Sequence, residues 1–101
     1  MDNTRVVCWG VGYEWPSWAL DALRGIEPHE VMQALGADRR WPRRATSPGG
    51  VGVVTIWART RSGRPPVVAV RQVGDWDWLI IGAHDMHPAE KAEFERWEAK
   101  P

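Results

Sequence analysis

The sequence predicts an α+β domain, and three observations predict it. The C-terminal half holds three apolar runs of strand length separated by short turn signals. A segment opening on proline, with apolar residues at helical spacing, follows them. The N-terminal half is a β-branched run followed by two short stretches of helical periodicity. The predicted architecture is therefore an antiparallel sheet: a strand, two short helices, a three- to four-stranded meander and a C-terminal helix.

The first element, Arg5 to Val11, is β-branched and aromatic and ends at Gly12. Pro16 fits a helix opening; Trp18, Ala19, Ala22 and Leu23 follow at helical spacing, and Gly25 stops them. Pro28 begins a second helix, with Val31, Met32 and Leu35 on one face and Gly36 as its end. This pair is helix-turn-helix-like, without a recognition helix loaded with base-reading side chains. Asp38 to Arg44 reads as an edge strand or a loop, and Ser47-Pro48-Gly49-Gly50 as a turn.

The meander comes next. Val51 to Thr60 is its first strand, turned at Ser62-Gly63-Arg64. Pro65 and Pro66 must lie at the start or edge of the second strand, because proline donates no ladder hydrogen bond. Val67 to Val73 continues that strand, Gly74-Asp75 turns it, and Trp76 to Ala83 is the third. The closing helix is Pro88 to Ala99, with Glu90 and Glu93 near the positive end of its dipole and Phe94 and Trp97 on one face.

A chain of 101 residues is one domain, 1–101, with a modest core. Its 13 Lys+Arg balance 13 Asp+Glu, so net charge is no argument for a nucleic-acid partner. The lone Cys8 cannot form an internal disulfide, which suggests a cytoplasmic protein; it reads as a small hydrophobe in mid-strand. Arg5 is followed by too short an apolar run for a signal peptide, and no run approaches a membrane span. Most of the 8 tryptophans are assigned to core or interface.

Several motifs together resemble one family. They are Tyr13-Glu14-Trp15, Gly25-Ile26 with Glu30-Val31, Val54-Thr55-Ile56, Ser62-Gly63-Arg64, Val67 to Val70, Ile80 to His84, Met86 to Glu90, and Phe94-Glu95. Their order and spacing over residues 13 to 98 are similar to the BrnT family, toxins of bacterial type II toxin–antitoxin modules. That resemblance implies a RelE-like fold, metal-independent RNA cleavage that inhibits translation, no cofactor, and a cognate antitoxin and RNA as partners. A homodimer is compatible with it, and no membrane is involved. The chain departs from the family pattern in several places: His84 stands where the family has arginine, Arg24 where it has histidine, Trp57 where it has glycine, and Trp78 and Leu79 in the strand where it carries basic residues.

RNA cleavage by its own 2′-hydroxyl needs a proton acceptor, cations to stabilise the phosphorane and a proton donor. Strand alternation places Arg59 and Arg61 on one face, with Arg71 on the neighbouring strand and His84 ending the third, so these four form the candidate catalytic cluster. Arg39, Arg40, Arg43 and Arg44 around Trp41, with Arg64, form a candidate RNA- or partner-binding patch. His84, His87 and Glu90 invite a metal reading, but His87 before Pro88 suits a helix cap, so no metal is assigned. An alternative is a catalytically degenerate protein-binding module of the same fold, presenting Trp57, Trp76 and Trp78 as an apolar surface.

Overall fold

The computed structural model describes residues 4–8, 11–46 and 49–100. The strands are β1 (Thr4–Cys8), β2 (Val11–Trp15), β3 (Leu23–Arg24), β4 (Trp41–Thr46), β5 (Gly52–Trp57), β6 (Pro66–Gln72) and β7 (Asp77–Asp85). The helices are α1 (Pro28–Leu35) and α2 (Pro88–Glu98). Six strands run in the order β1-β2-β7-β6-β5-β4, and β3 pairs β7 off that path. The fold is α+β, as predicted.

The sheet is mixed, which corrects the antiparallel prediction. The meander β4 to β7 is antiparallel throughout, but β2 and β3 both pair with β7 in parallel. β2 takes the first part of the outer edge of β7, at Asp77 to Leu79, and β3 takes a later part, at Ala83 and His84. The predicted opening strand is two strands of a hairpin. Trp9, Gly10 and the side chain of Cys8 lie outside the described residues, as do Ser47 and Pro48 of the predicted turn.

The first predicted helix is instead a single 3-10 turn, Ala19–Ala22. Leu23 leaves it in extended conformation and runs directly into β3. Edge pairing with β7 supplies backbone partners that so short a helix could not supply itself. Gly82 lets the turn lie close, since a Cβ there would meet the Ala22 carbonyl oxygen at 3.4 Å.

Helix α1 begins at Pro28, and the Glu30 carboxylate reaches back to accept the Glu27 N–H at 3.0 Å. Its Val31, Ala34 and Leu35 pack with Val68, Val70, Ile80, Ala83 and Tyr13 on one face of the sheet. Alternation turns Trp57 and Val67 to the other face, where they pack with Met86 and Phe94 beneath α2. Each helix thus buries one apolar stripe on its own face. Between Ala69 and Val70 the β6–β7 register shifts, leaving Ile81 as an extra residue in β7.

Among the described residues no helix is long and apolar enough to cross a membrane.

Candidate functional site

The register of the sheet decides which candidate residues meet. Trp41 pairs with Trp57, Trp57 with Val67, Val67 with His84, and His84 with Arg24. This row crosses the sheet on the α2 face, and its outer end holds an arginine beside a histidine. Those are two of the positions at which the sequence departs from the motif, neighbours on β3 and β7.

His84 Nε2 and Glu90 Oε1 lie 2.9 Å apart, and the same oxygen accepts the His87 N–H at 2.9 Å. Burial pushes the Glu90 carboxyl up. The His87 N–H, the His84 ring and the charges of the two imidazoles outweigh burial and hold it below the usual 4.5. Glu90 is therefore a carboxylate near neutral pH and accepts only. The proton of a neutral His84 must then sit on Nε2, which leaves Nδ1 as a base.

A groove of about 230 Å³ lies beside this pair. Thr55, Ala69, Gly82 and Ala22 line it with small side chains, and Arg24 and His84 stand among its walls. Arg24 uses Nη1 to donate to the Asp21 and Leu23 carbonyls, at 2.7 and 3.2 Å. Its Nε and Nη2 have no partner among the described residues. A guanidinium anchored at one nitrogen and open at two suits a phosphate.

His87 completes a further possibility. Its ring stacks 5.0 Å from that of His84 at 18°, and ligand atoms of His84, His87 and Glu90 lie within 4.8 Å of one another. Two imidazoles and a carboxylate are a set that could hold Zn²⁺ with one position open.

The structure does not bring the predicted catalytic four together. β5 ends at Trp57, so Arg59 and Arg61 lie beyond it and strand alternation no longer applies to them. Arg59 is spent on α2: its Nε and Nη2 donate to both oxygens of Glu98 at 2.8 Å, and its guanidinium covers the Phe94 ring at 5.6 Å. The Glu98 hydrogen bond raises its pKa further, so it stays charged. Arg61 is exposed on the surface. Arg71 sits four residues along β6 from Val67, the partner of His84, or roughly 13 Å away at 3.3 Å per residue.

The basic patch is mostly spent on the fold as well. Arg39 donates to the Trp97 and Lys100 carbonyls at 3.1 and 2.5 Å and stacks on Trp97 at 4.6 Å. Arg40 donates to the Leu35 carbonyl at 2.6 Å, closing the end of α1. Arg43 lies over Trp41 and Trp57 and pairs with Glu93 at 2.7 Å. Arg64 joins three segments, donating to Glu30, to Asp85 at 2.5 Å and to the Gly25 carbonyl. Its pKa rises chiefly through the Asp85 hydrogen bond. Arg44, by contrast, has no partner among the described residues.

The tryptophans divide in the same way. Trp41 stacks on Trp97 at 5.3 Å and meets Trp57 edge-on at 5.5 Å, beneath α2. Trp57 is thus buried, Trp78 is half-buried against the core, and Trp76 is 69% exposed.

Sequence reasoning passed over Arg24 and Glu90 as site residues. Arg24 was visible only as a departure from the family pattern, and Glu90 only as an acid near the helix start and a member of the metal reading that was set aside. No protein-family model matches the chain, and no curated protein matches it significantly.

Proposed function

We propose that this chain is a ribonuclease toxin of the BrnT type, cleaving RNA without a metal at the Arg24–His84 pair. The observation that carries the reading is the in-register pairing of Arg24 with His84, with Glu90 holding the imidazole from behind. One arginine and one histidine occupy the two motif positions in either arrangement, and adjacency makes the exchange chemically neutral.

In this mechanism RNA lies in the groove with its scissile phosphate on Arg24. His84 Nδ1 takes the proton of the 2′-hydroxyl. The 2′-oxygen bonds to phosphorus, the bond to the 5′-oxygen breaks, and the products are a 2′,3′-cyclic phosphate and a 5′-hydroxyl. The leaving oxygen takes its proton from solvent. Arg24 stabilises the charge that builds on the non-bridging oxygens. Glu90 is a positioning residue: it fixes the tautomer and stabilises the imidazolium that forms.

Cleavage of a labelled single-stranded RNA by the purified protein, with and without 5 mM-scale EDTA, is the direct test (the concentration being on the order of routine chelation). His84→Ala is expected to lose roughly 10²–10⁴-fold in rate, the usual worth of a general base. Arg24→Ala should likewise lose activity. Wild-type protein that leaves RNA intact, or a fully active His84→Ala, overturns the reading.

A second reading is the degenerate binding module, and Trp18, Leu20, Val73 and Trp76, all more than half exposed, favour it. It predicts no growth arrest on free expression and a stable complex with the product of an adjacent gene.

A further inference from the structure

A second cleft lies well away from the Arg24–His84 pair. The β5–β6 ladder stops at Val54 and Val70. The β4–β5 ladder runs on to Thr46 and Gly52, and the β6–β7 ladder runs on to Gln72 and Trp78. The sheet therefore parts into two hairpins at this end. The gap between them is about 740 Å³, larger than the groove at His84.

Its lining has a distinct chemistry. Arg44 comes from one hairpin and Arg71 from the other, and neither guanidinium has an ion pair or hydrogen bond to a described residue. Nearly every other arginine of the predicted sites is tied to a carbonyl or carboxylate, so these two stand out. Among the described residues no acidic side chain lines the gap. Trp78 contributes an indole, Val51, Val53 and Val54 an apolar wall, and Gln72 an amide.

We infer that this cleft binds single-stranded nucleic acid, with Arg44 and Arg71 on successive phosphates and a base against Trp78. Two unneutralised cations across a gap define a track for a polyanion rather than a pocket for one charge. The indole favours a nucleic acid over an acidic peptide, because every base offers a face to stack on. Among the described residues its lining holds no histidine, carboxylate or lysine to move a proton, so the role proposed for it is binding. The inference stands whether or not the Arg24–His84 pair is active.

The test uses the full chain carrying His84→Ala, so that cleavage cannot confound binding. Fluorescein-labelled oligo(U) and oligo(dT) are titrated by anisotropy at several salt concentrations, and circular dichroism checks folding. Arg44→Ala/Arg71→Ala should weaken both by at least 10-fold. It should also flatten the slope of log K against log salt by about 1.4, or 0.7 for each lost phosphate contact. Trp78→Phe, which keeps an aromatic face, should bind within a few-fold of the parent, and Trp78→Leu should bind about 5- to 100-fold more weakly. Unchanged affinity and slope in a folded double variant overturn the proposal. So does tight binding of oligo-glutamate in place of the oligonucleotides, which would make the cleft a seat for an acidic protein segment.

Discussion

His84 shows how one side chain's role is set by its second neighbour. Without Glu90 its tautomer is unconstrained; with it, Nδ1 is the base. The sign of the accompanying stability effect follows from the direction of the Glu90 shift. A carboxyl held below its ordinary 4.5 contributes stability that is fully present above that pH and is lost as pH falls through the lower folded value. Glu90→Gln should therefore lower the melting temperature above about pH 4.5 and flatten the acid limb below it, where variant and parent converge. Differential scanning fluorimetry across pH reads this directly. Added Zn²⁺ should compete for the same three groups, and micromolar-scale inhibition of cleavage, reversed by EDTA, is the expected outcome. Gly25 is a further residue-scale case. Its φ of +73° and the Asp85 carboxylate 3.4 Å from where a Cβ would stand make Gly25→Ala a strained substitution. The cost should be about 1–2 kcal/mol by urea denaturation.

At the scale of elements, α2 is held by aromatic stacking below and arginines along its sides. Phe94 is almost fully buried, so Phe94→Ala should cost about 3–5 kcal/mol. Arg59→Ala removes the paired contact with Glu98, but a third of that side chain remains in water, so roughly 1 kcal/mol is expected. Arg61→Ala should fall within about 0.5 kcal/mol of wild type, as surface changes do. Chemical denaturation ranks all three. The two helices and the meander were readable because their signals are local: Pro28 and Gly36 bracket α1, Pro88 opens α2, and Gly63 and Gly74 mark the turns. The segment after Pro16 was misread for an equally physical reason. Trp18, Ala19, Ala22 and Leu23 satisfy a helical spacing, yet what decides their conformation is the vacant edge of β7, which no local pattern reports.

Across the whole molecule, the candidate site depends on register. The sequence placed His84 correctly at the end of a strand, but it could not show that β3 lies beside it or that Glu90 folds back onto it. Nor could it show that β5 stops at Trp57, which removed Arg59 and Arg61 from the strand face assigned to them. The tryptophan surface failed similarly, since Trp57 is buried only because Trp41 and α2 cover it. Central position should dominate the dynamics: β6 is flanked by strands on both edges, and its amides should exchange slowest by hydrogen–deuterium exchange.

The parallel seam between β3 and β7 also has a consequence in time. Arg24 and His84 are separated by 60 positions, so loop closure must precede their meeting and folding should be slow for so short a chain. During synthesis, at roughly 5–20 residues per second, the segment bearing Arg24 emerges seconds before its partner. Until β7 and the first turn of α2 are made, the arginine has no histidine, and the histidine no carboxylate. A nascent chain that stalls before Glu90 is therefore harmless on this scheme, and reactivity begins only with the finished fold.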